Sequence, residues 1–264
     1  MAISFALETC LAKHTCSTLG IPHDGHTVAS RCSEWQTPLG HPRPIRSRSP
    51  APGQRLYDQS MARDRRRVLL FLARVWAYPL WCNVTRSEAA DTVAQDVDWW
   101  VLCINDAELL SLGQYSRFAY LTGALTEFRT LVHYRLRSTP IALRLLLRAL
   151  YRPAATLTLD AARIGPALFI QHGVATIVTA ETIGSHCWIN QQVTIGYNAK
   201  GRPTLGDRVR VGAGAVVIGP ITLHDGATVG ANATVMHDVG PGETVVAPLA
   251  TALNPRREDG DAPA

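Results

Sequence analysis

The chain has 264 residues, of which 47% are hydrophobic and 18% charged, with a formal net charge of +5. This is the balance of a soluble globular protein, long enough for a full core and two structural parts. Between residues 163 and 250, five basic residues face five acidic ones, so the excess positive charge lies elsewhere, and no aromatic-lined basic stripe marks a nucleic-acid surface.

Residues 1–60 differ from the rest. The stretch Thr37 to Gln54 is rich in Pro, Arg, Ser and Gly, the composition of a disordered extension. Met61 begins a more regular pattern and is read as the start of the folded protein. Glu8 and Lys13 interrupt any apolar run near the start, so no signal peptide is expected. The six cysteines, Cys10, Cys16, Cys32, Cys82, Cys103 and Cys187, form no CxxC pair; reduced thiols of a cytoplasmic protein are the expectation. Cys16, His23, His26 and Cys32 match no zinc-finger spacing, and no metal is expected.

Val68 to Val84 is apolar, but Arg74 and Pro79 interrupt it and its length is short for a membrane span. A helix packed into an N-terminal domain is expected, without membrane contact. Ser87-Glu88-Ala89-Ala90 resembles a helix start. Leu109 to Arg137 and Ile141 to Tyr151 carry aliphatics at three- and four-residue spacing, punctuated by Pro140 and Pro153. These segments make an α-helical domain over residues 61–155.

From Ile164 the period changes. Leu205, Val211, Val217, Leu223, Val229 and Val235 fall six apart, as do Ile183, Ile189 and Ile195, and Ile164 and Ile170. A six-residue period fits neither a helix nor a long strand. It fits a parallel β-helix, in which each hexapeptide supplies one short strand and one corner. The beat breaks between Ile170 and Ile183, thirteen residues apart, and between Ile195 and Leu205, ten apart. The first break predicts one extra residue within residues 171–176. The second predicts a loop at Tyr197 to Thr204. Such breaks leave the wall and commonly build the binding face.

Ile164-Gly165, Gln171-His172-Gly173, residues 189–196, Val211-Gly212-Ala213-Gly214-Ala215 and Val229-Gly230-Ala231-Asn232-Ala233 together resemble the hexapeptide-repeat acyltransferases, and within them the serine O-acetyltransferases. Asp98, Asp106, Glu127-Phe128-Arg129 and Tyr134-Arg135-Leu136 resemble that family's helical domain. The resemblance implies an α+β protein: an α-helical N-terminal domain, then a left-handed parallel β-helix over residues 156–250, with a flexible tail over 251–264. It implies a homotrimer or a dimer of trimers in the cytoplasm, with active sites between subunits. It implies acetyl transfer from acetyl-CoA to a small hydroxyl substrate, L-serine first among them, in cysteine biosynthesis.

On the same resemblance His172 is the catalytic base, and an imidazole suits that work because it titrates near neutral pH. Asp106, Gln171 and Arg202 are the implied substrate contacts. Gly196, Ala213, Gly214 and Ala231 would let the pantetheine arm approach the backbone, and Lys200, Arg208 and Arg256 would meet its phosphates. Three departures from the family pattern keep a second acceptor, a sugar hydroxyl in polysaccharide biosynthesis, open. Leu157 stands where the family orients its base with an Asp. Gln171 replaces a second Asp, and Gly201-Arg202-Pro203 lacks a His. A zinc hydratase on the same coil would need three converging histidines, whereas His172, His186, His224 and His237 lie 14, 38 and 13 residues apart. A non-catalytic assembly module would show a dead His172 site.

Overall fold

The computed structural model describes residues 52–251; the expectations for the first 51 residues, Arg256 and the rest of the tail lie outside the described residues. The chain divides into two compact units, residues 1–72 and 73–264. Helix α1, Pro52–Thr85, has 34 residues. It begins nine positions before Met61, so the expected boundary at residue 61 falls inside a helix. In the first unit α1 exposes Val68, Phe71 and Leu72. The segment Arg66–Thr85 is long and apolar enough to cross a membrane by length and composition, and 22% of it is buried. Length therefore gives no argument against a span. The expected packing is also present: within the second unit Ala73, Ala77, Leu80 and Val84 form a buried stripe at helical spacing.

The second unit continues with α2 (Ala90–Ile104), α3 (Ala107–Leu110), α4 (Gln114–Ala124), α5 (Thr126–Arg135) and α6 (Ile141–Leu150). The pattern expected over Leu109 to Arg137 is several helices, because Gly113 and Leu125 adopt extended backbone and each starts a new one. Aromatic rings run through the interior. Trp81 meets Phe118 at 5.1 Å between centroids, Phe118 meets Phe128 at 5.9 Å, and Phe128 meets Trp100 at 5.2 Å. Trp100 reaches Phe169 of the first coil at 4.9 Å, and its indole N–H donates to the Leu168 carbonyl at 2.6 Å.

A buried ion pair joins helices to solenoid. Arg135 donates to both carboxylate oxygens of Asp96, at 2.8 and 3.0 Å, and to the carbonyls of Ile164 and Gly165, at 2.5 and 2.6 Å. Asp96 also accepts from the Ala167 amide at 2.8 Å. Burial pushes the Asp96 carboxyl up; Arg135 and the backbone donors pull it back. Both charges stay inside because each has several partners.

From Leu157 the chain winds as a parallel solenoid. Every strand pair is parallel, and the strands stack in columns. Phe169–Ile170 (β2), Trp188–Ile189 (β4), Arg210–Val211 (β7), Thr228–Val229 (β10) and Thr244–Val245 (β12) form one column. Two further columns belong to one sheet. Thr194–Gly196 (β5), Val216–Ile218 (β8) and Thr234–Val235 (β11) form the first, and Thr204–Leu205 (β6) and Thr222–Leu223 (β9) the second. The eight-residue Thr176–Ile183 (β3) pairs with both, and with Leu157–Ile164 (β1). All eleven residues of the six-residue beat point inward, none more than 6% exposed. At one corner the glycines are obligatory: a Cβ on Gly184 would lie 2.5 Å from the Gly206 backbone, and one on Gly165 2.8 Å from that of Gly184.

Candidate active site

The first break in the beat is larger than the sequence predicts. Val178, inward and paired with Ile195, lies eight residues after Ile170, and Ile183 follows it by five. Two residues therefore leave the wall at 171–176 rather than one, and β3 gives one back. Within the bulge His172 and Ala175 both take left-handed conformations, φ 54° and 51°. The Val174 amide closes the bulge on the His172 carbonyl. His172 is left exposed at its tip.

Beneath it Gly173 is buried against three side chains. A Cβ there would meet Glu127 Cγ at 2.9 Å, Ile170 Cγ2 at 3.1 Å and Leu157 Cδ2 at 3.2 Å. Only glycine fits. Leu157 packs on this loop, and the carboxyl side chain packed there is Glu127, from the first turn of α5. Glu127 Oε2 accepts from the Thr126 hydroxyl at 3.2 Å. Gln171 turns its side-chain oxygen to the Trp188 indole N–H, at 3.1 Å.

The solenoid has three corners, and they divide the expected residues. His172 lies between the column of Ile170 and the column of Val178. On successive coils the same corner carries Gln191 and Gln192, then Ala213 and Gly214, then Ala231 and Asn232. Backbone bonds lace it together: Gln192 N to Val174 O at 2.9 Å, Gly214 N to Gln191 O at 3.1 Å, Asn232 N to Ala213 O at 2.9 Å. Gly214 is left-handed at φ 69°, and a Cβ there would strike Asn232 Oδ1.

The second corner holds Gly196 and the expected loop. Asn198 and Gly201 exchange backbone hydrogen bonds at 3.1 and 3.2 Å, and the Lys200 amide caps on Asn198 Oδ1 at 2.8 Å. The loop is thus a tight hairpin. Arg202 leaves it toward Asp160, 3.4 Å away, and lies 5.9 Å from the Tyr197 ring centre. Arg208 sits at the third corner with His186, both left-handed, and His186 meets the Trp99 ring at 4.9 Å. One chain therefore groups His172 with Ala213, Gly214 and Ala231. It groups Lys200 and Arg202 with Gly196, and it sets Arg208 apart.

Asp106 caps α3, accepting from the amides of Glu108 at 2.9 Å and Leu109 at 3.0 Å. Asp98 pairs with Arg117 on the surface, at 3.0 Å. Asp96, two positions earlier, is the buried partner of Arg135. An i, i+4 run of buried positions, Val93, Val97 and Val101, flanks Asp96 in sequence and marks it as the more inward of the two. Among the described residues no cluster of three or more His, Cys, Asp or Glu could hold a metal ion.

Residues 202–237 match the family model for the bacterial transferase hexapeptide (six repeats). The chain is 42% identical over 101 residues to a serine acetyltransferase of Helicobacter pylori, an alignment covering 36% of this chain and 59% of that protein. It is 42% identical over 89 residues to a serine acetyltransferase of Mycobacterium tuberculosis, covering 31% and 38%. The matches thus span less than two thirds of these relatives' length. Among solved structures, serine acetyltransferase isoform 3 of Entamoeba histolytica, in complex with cysteine, aligns with a TM-score of 0.47 at 25% identity, over 63% of this chain and 60% of that one.

Proposed function

We propose that this chain transfers an acetyl group from acetyl-CoA to the hydroxyl of L-serine. The observation that carries the reading is His172, raised from the wall on a two-residue bulge at the corner that carries Ala213, Gly214 and Ala231 on later coils. The 42% identity to serine acetyltransferases supports the acceptor.

Acetyl-CoA supplies a thioester carbonyl and a thiol leaving group. The groove beside Ala213, Gly214 and Ala231 suits its pantetheine arm, since nothing larger than a methyl group projects from those residues. His172 accepts the hydroxyl proton as the oxygen attacks the carbonyl carbon. The imidazolium then returns that proton to the departing sulfur. Glu127, packed beneath the loop, takes the orienting role that Leu157 does not supply. Asp106 and Arg202 remain the contacts for the serine amine and carboxylate, with Gln171 beside the base.

Arg202 belongs to a different corner from His172. Joining them requires the second corner of a neighbouring copy, so the reading includes a homotrimer with sites between subunits. Lys200 and Gly196 come from that same second corner. The compartment that supplies acetyl-CoA, and that suits unpaired thiols, is the cytoplasm.

The test is CoA thiol release with L-serine, homoserine and a panel of sugars as acceptors, with the product identified by mass. Saturable O-acetylserine formation is expected. Preferential acetylation of a sugar, or thiol release without an acetylated acceptor, overturns the assignment.

A further inference from the structure

Between α5, α6 and the start of β1 lies a cavity of about 370 Å³ that His172 does not line. Arg137, Arg144 and Arg148 line it together with His133, and no Asp or Glu does. Pro153, Leu157 and Leu159 make an apolar wall. The size is at the lower end for small-molecule sites.

The arginines are arranged rather than scattered. Arg137 is anchored: it donates to the Tyr134 hydroxyl at 2.7 Å and to the Ala162 carbonyl at 2.9 Å, and lies 4.6 Å from the Tyr134 ring centre. Arg144 donates to the Arg137 carbonyl at 3.2 Å. Arg144 and Arg148 stand four residues apart on α6, a spacing at which like charges oppose the helix. Among the described residues neither pairs with a carboxylate. The repulsion is felt inside the cavity. Burial lowers the His133 pKa, and Arg148, Arg129 and Arg144 lower it further, against the Tyr151 carbonyl. Because His133 Nε2 meets that carbonyl at 2.7 Å, Nε2 carries the proton and Nδ1 is the basic atom.

We propose that this cavity binds a phosphate group, free or carried by a small phosphomonoester or a lipid head. Guanidinium groups match phosphate oxygens in a two-pronged geometry, and two uncompensated ones on a single helix face supply the charge for a dianion. The apolar wall accepts the short carbon part of a phosphomonoester. The site is independent of the acetyl-transfer reading and stands if that reading fails. It nevertheless backs on to the loop of His172, because Leu157 lines the cavity and also packs against Gly173.

Calorimetric titration of the full chain with inorganic phosphate and with glycerol 3-phosphate, at constant ionic strength against chloride, tests the proposal. Flotation with phosphatidylglycerol or phosphatidylcholine vesicles is the second arm. Saturable binding of the soluble probes, or selective flotation with phosphatidylglycerol alone, is expected, and the pattern tells free phosphate from lipid. Either must weaken about tenfold or more in R144Q/R148Q. A wild-type measurement guards against misfolding of that variant: phosphate, and not chloride, should move the His133 titration seen by NMR to higher pH. The proposal is overturned if neither probe saturates at millimolar concentration and no vesicle binds, if binding survives in R144Q/R148Q, or if the soluble probes saturate and the His133 titration does not move with phosphate.

Discussion

At the scale of single residues, His172 owes its position to backbone. A left-handed residue costs a β-carbon-bearing side chain conformational energy, and the chain accepts that cost at His172 and again at Ala175. Replacing the imidazole leaves the bulge, Gly173 and the column of Ala213 and Ala231 untouched. His172→Ala should therefore lower kcat by roughly 10²–10⁴-fold, the usual range for a lost general base, with KM for acetyl-CoA little changed. Retained turnover would remove His172 from the mechanism. Glu127→Gln keeps the packing on Gly173 and removes the charge. It should reduce kcat by about tenfold while KM for acetyl-CoA holds, and Glu127→Asp should recover part of the loss. Equal kinetics in all three proteins would leave Glu127 a packing residue.

At the scale of elements, the Asp96–Arg135 pair is the joint between α2, α5 and the first coil. Its side chains are 1% and 5% exposed. Asp96→Ala would leave Arg135 buried without its counter-charge, which typically costs about 3–5 kcal/mol. Urea unfolding followed by circular dichroism should show a loss of that order, and a surface control, Asp98→Ala, should show almost none. The contrast also explains what the sequence made legible. The six-residue beat was readable because inward aliphatics recur on every coil, and all of them are buried as expected. The loop at 197–204 was readable for the same reason. The size of the His172 bulge was not, because β3 shortens by one residue and hides part of it in the count. Asp96 was missed in favour of Asp98: a charge on a helix says which face it occupies only when the apolar stripe around it is followed. The role of Asp106 as a helix cap is local, since it accepts from the amides two and three residues on, and the corner of Arg208 follows from its place between Leu205 and Val211 in the beat.

At the scale of the whole molecule, the division of His172 and Arg202 between two corners makes the proposed site a property of an assembly. Light scattering should return about three times the chain mass of 28.7 kDa, or a multiple of that. A sharper check mixes two dead proteins. If His172→Ala and Arg202→Ala are unfolded together and refolded, random trimers would rebuild roughly a quarter of the sites. Mixtures with no recovered activity would place both residues in one subunit's site. The clamp at Arg135 also gives the molecule a polarity. A solenoid is quasi-one-dimensional, each coil held by its neighbours. Here the first coil is fastened to the helices through Ile164, Gly165 and Ala167, whereas β12 pairs only with β10 and is itself part exposed. The coils should open like a zipper from one end: amide exchange should be slow at Ile170 and Ile189, faster at Val229 and fastest at Val245. On that gradient the bulge of His172 stands at the end that opens last, so the proposed base keeps its place while the far coils breathe.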